Sequence, residues 1–166
     1  MSIVGKNYSF ELLSEANCQS LAIQLRNAIP LEKLISRTLH IWFSGDLGSG
    51  KTTFIRFFLE SLGHHGKVKS PTYNLCEPYQ ILNHGQVILV HHFDLYRMNH
   101  PREWEEAGFK DILTSPGINL IEWPEKAEDT LPSPDLIMSL QYASETKRIG
   151  NIESNSELGN KILEAL

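Results

Sequence analysis

Apolar residues along this chain follow two periods. Cys18, Leu21, Ala22, Leu25, Ala28 and Ile29 recur at helical spacing, with Ser14 as a natural N-cap and Pro30 closing the segment. Phe54, Phe57, Phe58 and Leu62 line one face of a second helix, which Gly63 ends. Residues 39–43, 87–90 and 118–121 are instead short, mainly apolar runs, the length of buried strands. Residues 101–109 predict a short helix with Gly108 near its end. Residues 137–140 and 148–149 predict additional edge strands, and residues 157–166 a terminal helix or a frayed tail. Strands alternating with helices predict an α/β layer fold with a largely parallel central sheet. The expected organisation is one domain over residues 1–150 and a C-terminal tail over 151–166, possible as a short helix.

Length and composition narrow this only a little. A chain of 166 residues that is 41% hydrophobic supports one sizeable core. Fifteen basic against twenty acidic residues leave a net charge of −5, with no clustered basic face of the kind that charge-driven nucleic-acid binding needs. Cys18 and Cys76 have no metal-like spacing and read as reduced packing residues. The N-terminus lacks a signal-peptide pattern and no apolar run has the length of a membrane span, so the expected location is the cytoplasm, with no membrane contact.

The strongest chemical signal is Gly45-Asp46-Leu47-Gly48-Ser49-Gly50-Lys51-Thr52, a complete G-x-x-x-x-G-K-[ST] pattern with a strand before it and a helix after it. Glycines let the backbone curl until successive N–H groups face phosphate oxygens, and the helix adds its free N-terminal amides. Lys51 brings a point charge to the terminal phosphates and Thr52 a hydroxyl to Mg²⁺. This Walker A loop predicts nucleoside triphosphate binding on a three-layer P-loop NTPase-like fold. Such a site needs an acidic residue on a neighbouring strand. Asp94 and Glu122 each follow an apolar run; either suits the metal and the other the attacking water, and spacing leaves that choice open. Adjacent strand residues point to opposite faces, so His91 and His92 do not chelate one ion; one is expected near the site and one packed outward. Trp123 and Tyr96 read first as core or interface aromatics, with a pocket cover as the functional alternative. On chemistry alone, Ser70-Pro71-Thr72-Tyr73 is a turn.

Five stretches together resemble the TsaE (YjeE) family, P-loop ATPases of bacterial tRNA threonylcarbamoyladenosine synthesis: GDLGSGKTT at 45–53, VKSPTYNLCEPY at 68–79, HFDLYR at 92–97, EEAGFKD at 105–111 and LIEWPEK at 120–126. Ser49 stands where alanine is common, and Met98 where leucine is common; neither change removes a functional group. The resemblance implies Mg²⁺-dependent ATP hydrolysis in support of a TsaB–TsaD pair, with tRNA reached only through that complex. It assigns nucleotide contact to Gly45, Asp46, Leu47, Gly48, Ser49, Gly50, Lys51, Thr52 and Thr53, and Mg²⁺ contact to Thr52. Glu122 matches the family's metal and catalytic-site glutamate, Asp94 its second-strand aspartate, and Thr72 a switch-like sensor. Two other readings compete: a small-molecule kinase, disfavoured by the few arginines after the loop, and a nucleotide-gated binding module with negligible catalysis. Arg97 and Arg102 are finger candidates by sequence nearness alone, so a finger from a partner is expected to set the rate.

Overall fold

The computed structural model describes residues 5–71 and 73–166. Its centre is a seven-stranded sheet: β1 (Asn7–Leu12), β2 (Thr38–Ser44), β3 (Cys76–Asn83), β4 (Gln86–Asp94), β5 (Gly117–Glu122), β6 (Leu136–Tyr142) and β7 (Arg148–Ser154), in the order β1-β7-β6-β2-β5-β4-β3. β6, β2, β5 and β4 are mutually parallel. β7 and β3 run against them, and β1, antiparallel to β7, returns to the common direction. The mostly parallel α/β expectation holds, with antiparallel additions on both flanks.

Side chains alternate across the strands and sort the core into two faces. Leu39, Ile41, Phe43, Leu120 and Val90 pack under α1 (Glu15–Ala28), α2 (Lys51–Ser61) and the C-terminal helix α5 (Glu157–Glu164). Phe93 and Ile121 point the other way, onto Trp104 of α3 (Glu103–Glu106), Leu113 of α4 (Lys110–Thr114) and Ala127 of the 3-10 segment Pro124–Thr130. Helices on both faces complete the three layers.

Both long predicted helices form for the reasons their sequences give. Ser14 Oγ accepts the Asn17 N–H at 3.2 Å, and Pro30 follows the extended cap residue Ile29. α2 stops where the Gly63 and His64 N–H groups bond Glu60 O and Leu59 O. Because that Ser14 cap satisfies an end amide of a helix that carries four buried side chains, Ser14→Ala is expected to cost about 1 kcal/mol. A thermal melt should then move down by roughly 2–4 °C.

Two strands are absent from the sequence reading, and two are placed differently. β1 and the edge strand β3 were not foreseen. The segments around 137–140 and 148–149 were expected at the edges, yet β6 lies between β2 and β7, and β7 between β6 and β1. The displacement follows from β1, which pairs along β7 from Asn7↔Glu153 to Leu12↔Arg148 and takes the edge itself. The residues from 157 onward form a helix, fixed at its start by Ser156. That side chain accepts the Gly159 N–H at 2.9 Å and donates to Asp135 Oδ1 at 2.6 Å, while Asp135 Oδ2 accepts the His40 N–H of β2 at 2.9 Å.

Candidate phosphate-binding and acidic site

β2, β5 and β4 end side by side, which puts the loop after Ser44 next to Glu122 and Asp94. Gly45 turns with φ 148°, and a Cβ there would lie 2.3 Å from Leu140 O. Only glycine fits. Gly48 and Gly50, at φ 77° and 100°, complete the curl, with open space where a side chain would stand. α2 makes its first bond from the Phe54 N–H to Gly50 O at 2.9 Å. The N–H groups of residues 50–53 therefore have no partner within the helix, which is the geometry that receives an anion. Leu47 is the exposed tip of the loop, while Ser49 is buried beneath it.

Lys51 is 5% exposed, and its ammonium lies across this loop. It donates to Gly45 O, to Asp46 O at 3.0 Å and to Ser49 Oγ at 3.4 Å, and stands 4.3 Å from the centre of the Trp123 ring. Burial pushes its pKa down, against the upward pull of Glu122, Glu125, Asp94 and Asp46. Trp123 faces the loop because its backbone is left-handed (φ 58°, ψ 47°), with Pro124 fixing the next turn. For a large side chain that conformation costs of order 1–3 kcal/mol and persists only where its surroundings impose it. Behind the indole, the Tyr96 ring packs at 4.9 Å, and Lys126 Nζ lies 5.5 Å from the tyrosine ring. The sequence reading held both aromatics to be core or interface residues first; they form a wall of the site.

Glu122 is 1% exposed and accepts the Thr52 hydroxyl on Oε1 at 2.7 Å. Asp94 is its register partner on β4, and its Oδ1 accepts the Tyr96 N–H at 3.1 Å. The two carboxyls diverge. Burial raises Asp94, with the Glu122 charge adding to it against the Tyr96 N–H. Burial also pushes Glu122 upward, but His92, Thr52 and Asp94 together outweigh it and hold Glu122 below its ordinary value. A carboxyl raised on folding contributes stability at pH below its unfolded value and loses it as pH rises through the folded value. At neutral pH, Asp94 is thus a charge the fold opposes, and Asp94→Asn is expected to raise the melting temperature of the nucleotide-free protein. The gain should shrink as pH is lowered toward 4, as a melting series will test.

The structure brings together Lys51, Thr52, Glu122 and Asp94. Thr72 lies outside the described residues. Ser70 has its Oγ 2.9 Å from Thr52 Oγ1, so this serine, named from sequence only as part of a turn, stands at the site. His92 is buried at the site and His91 is only partly covered on the other face, as strand alternation requires. Both cysteines are free and buried, and burial pushes their thiols up, Cys18 to about 11 and Cys76 to about 12. Cys18 packs in the larger hydrophobic cluster and Cys76 in the smaller. Among the described residues no three His, Cys, Asp or Glu side chains group as a metal cage, and no helix is long and apolar enough to cross a membrane. The donors present are instead a hydroxyl and two carboxyls. That set suits a hard cation whose remaining ligands are water and phosphate oxygen.

A glycine loop between β2 and α2, with acidic residues closing the two neighbouring parallel strands, defines a P-loop NTPase-like fold. Within that class the chain belongs to the TsaE family: the family described as "Threonylcarbamoyl adenosine biosynthesis protein TsaE" matches residues 12–150. It is 40% identical over 129 residues to the tRNA threonylcarbamoyladenosine biosynthesis protein TsaE of Haemophilus influenzae, covering 78% of each chain. To the protein of the same description in Rickettsia felis it is 35% identical over 131 residues, covering 76% of this chain and 74% of that one. The crystal structure of YdiB from Bacillus subtilis superposes with a TM-score of 0.74 at 24% identity, over 98% of this chain and 95% of the other, a likeness of fold.

Proposed function

We propose that this protein is a Mg²⁺-dependent ATPase that sustains a TsaB–TsaD complex in tRNA threonylcarbamoyladenosine formation, reaching tRNA only through that complex. The observation that carries the reading is the bond from Thr52, at the start of α2, to the ionised, buried Glu122. It ties the phosphate loop to the acidic strand end in the arrangement that phosphoryl transfer to water requires. The loop amides and Lys51 bind the triphosphate. To do so, Lys51 exchanges the carbonyls of Gly45 and Asp46 for phosphate oxygen. Mg²⁺, when bound, neutralises charge on the terminal phosphates. Thr52 and Glu122 form its protein side, Glu122 because its charge is favoured and its oxygen already meets Thr52. Asp94, whose proton is held more tightly, faces the water and takes up its proton at a carboxyl oxygen.

We assign the base to a cavity beside the loop. This cavity, of about 340 Å³, opens beside Gly50 and Thr53, walled by Leu12, Cys18, Leu140 and Arg148. Its largely apolar lining suits a purine ring. Neither finger candidate stands ready: Arg102 is held by both Glu105 oxygens at 3.2 Å, and Arg97 lies 5.8 Å from the Tyr73 ring on the surface. Turnover alone is therefore slow, and a partner-supplied arginine accelerates it, by about a thousandfold or more where such fingers operate. Phosphate release by the protein alone, with TsaB–TsaD, and with tRNA added tests this. The expected product is free phosphate, with faster turnover in the assembled complex. Equal rates in all three mixtures, or a phosphorylated acceptor in place of phosphate, would refute it.

A further inference from the structure

His92 is fully buried, and among the described residues neither of its ring nitrogens has a hydrogen-bond partner. Buried polar nitrogens are rarely left so, and one beside a site calls for a reason. β4 turns His92 to the same side as Asp94, two residues on, and pairs it with Leu120, two residues before Glu122. Its Nε2 stands 3.8 Å from Glu122 Oε1, in ion-pair range but longer than a hydrogen bond. That oxygen is the one already accepting the Thr52 hydroxyl at 2.7 Å. Two donors thus address one carboxylate oxygen from different elements, one engaged from α2 and one waiting in the strand layer.

We propose that His92 is the positioning residue of Glu122: its Nε2–H closes onto Oε1 and, with the Thr52 hydroxyl, fixes the plane of the carboxylate. A carboxylate oxygen accepts two such bonds. Held from both sides, Glu122 no longer rotates about its last bond, and its other oxygen keeps one direction toward the loop. The movement this needs is small: the 3.8 Å gap closes to hydrogen-bond length while the Thr52 bond is kept. His92 touches neither phosphate nor water, and acts only through Glu122. The inference rests on the hydrolytic reading, in which Glu122 is the working carboxylate.

The first test does not depend on hydrolysis. Long-range proton–nitrogen correlation spectra of the nucleotide-free, full-length protein should show His92 Nε2 as a protonated nitrogen, identified by the signal missing in His92→Gln. Glu122→Gln should shift that signal. An unprotonated Nε2, or a signal indifferent to Glu122→Gln, overturns the proposal. The second test is kinetic. His92→Phe should lower kcat for ATP by about 10–100-fold, as loss of such supporting contacts does, with KM changed by no more than about twofold. His92→Gln, whose amide nitrogen reaches the place of Nε2, should restore most of kcat; His92→Asn, which reaches only Nδ1, should not. Equal losses in all three variants would assign His92 to packing and overturn the proposal. If the wild-type protein hydrolyses no ATP in any mixture, the ATPase reading falls, and the spectra alone decide the role of His92. They decide it also if the His92 variants fail to fold, since the wild-type and Glu122→Gln spectra remain.

Discussion

Replacing Lys51 with alanine will raise the dissociation constant for ATP by two to three orders of magnitude while leaving the nucleotide-free fold close to intact. The first half follows from what the ammonium does. Truncating one partner of a buried, hydrogen-bonded charge pair costs about 2–5 kcal/mol, and Lys51 is the buried cation of the loop. The second half follows from where the ammonium rests. Its partners without nucleotide are the carbonyls of Gly45 and Asp46 and the face of Trp123, neutral groups that offset its burial without making it favourable. Its pKa accordingly falls on folding. A lysine whose folded value lies below its unfolded one holds fewer protons when folded, so wild-type stability gains as pH rises toward the ordinary lysine range. The advantage of wild type over Lys51→Ala should therefore grow from neutral pH toward about 10. Calorimetric titration with ATP and paired melts along a pH series measure both halves. Unchanged affinity would remove Lys51 from the site, and an advantage that shrinks with pH would contradict the placement of its ammonium.

The loop itself was legible because its chemistry is local. Eight consecutive residues carry the glycines, the lysine and the hydroxyl, and their flanking periods announce a strand and a helix. The parallel centre was legible for a similar reason: strands buried on both faces read as near-continuous apolar runs, here broken by His40 and Asn119. β1 was missed although Tyr8, Phe10 and Leu12 alternate toward the core, since a single half-buried strand before the first helix makes a weak signal. β3 was masked by Pro78, which demotes a strand anywhere but at an edge, and the edge is where β3 lies. Its hairpin turn was masked too. His84 and Gly85 both adopt positive φ, a task more often given to Asn-Gly.

The closure of the site was harder to foresee because it is long-range. Thr52 and Glu122 are 70 residues apart, and Thr52 and Ser70 are 18 apart. Strand-end position made Asp94 and Glu122 equivalent candidates. Their environments separate them, one tied to the loop helix by a hydroxyl and the other to the Tyr96 amide. Trp123 owes its place to a left-handed backbone that no periodicity announces.

Glu122→Gln is the variant that tests this division of labour most sharply. Glutamine keeps the shape of the side chain and an oxygen to accept the Thr52 hydroxyl, so the loop and α2 should hold their geometry. It removes the charge. ATP affinity should stay within several-fold of wild type, while the rate of phosphate release should fall by roughly 10²–10⁴, the range expected when a positioned acid–base or metal-side carboxylate is lost. The loss should also reach Asp94, whose raised pKa owes part of its elevation to the Glu122 charge and should relax downward in the variant. Asp94→Asn supplies the comparison. If Glu122 serves the metal and Asp94 the water, Glu122→Gln should weaken the Mg²⁺ dependence of ATP binding and Asp94→Asn should leave it unchanged; the opposite pattern reverses the roles. The same Glu122→Gln protein, bound to ATP and unable to hydrolyse it, also separates a motor from a gate. Should it still sustain repeated tRNA modification by TsaB–TsaD, the ATP-bound shape is sufficient and hydrolysis is not the working step. If modification stops after the first turnover, the bond between Thr52 and Glu122 lies at the centre of the cycle, because it is where the phosphate loop and the acidic strand end act on one another.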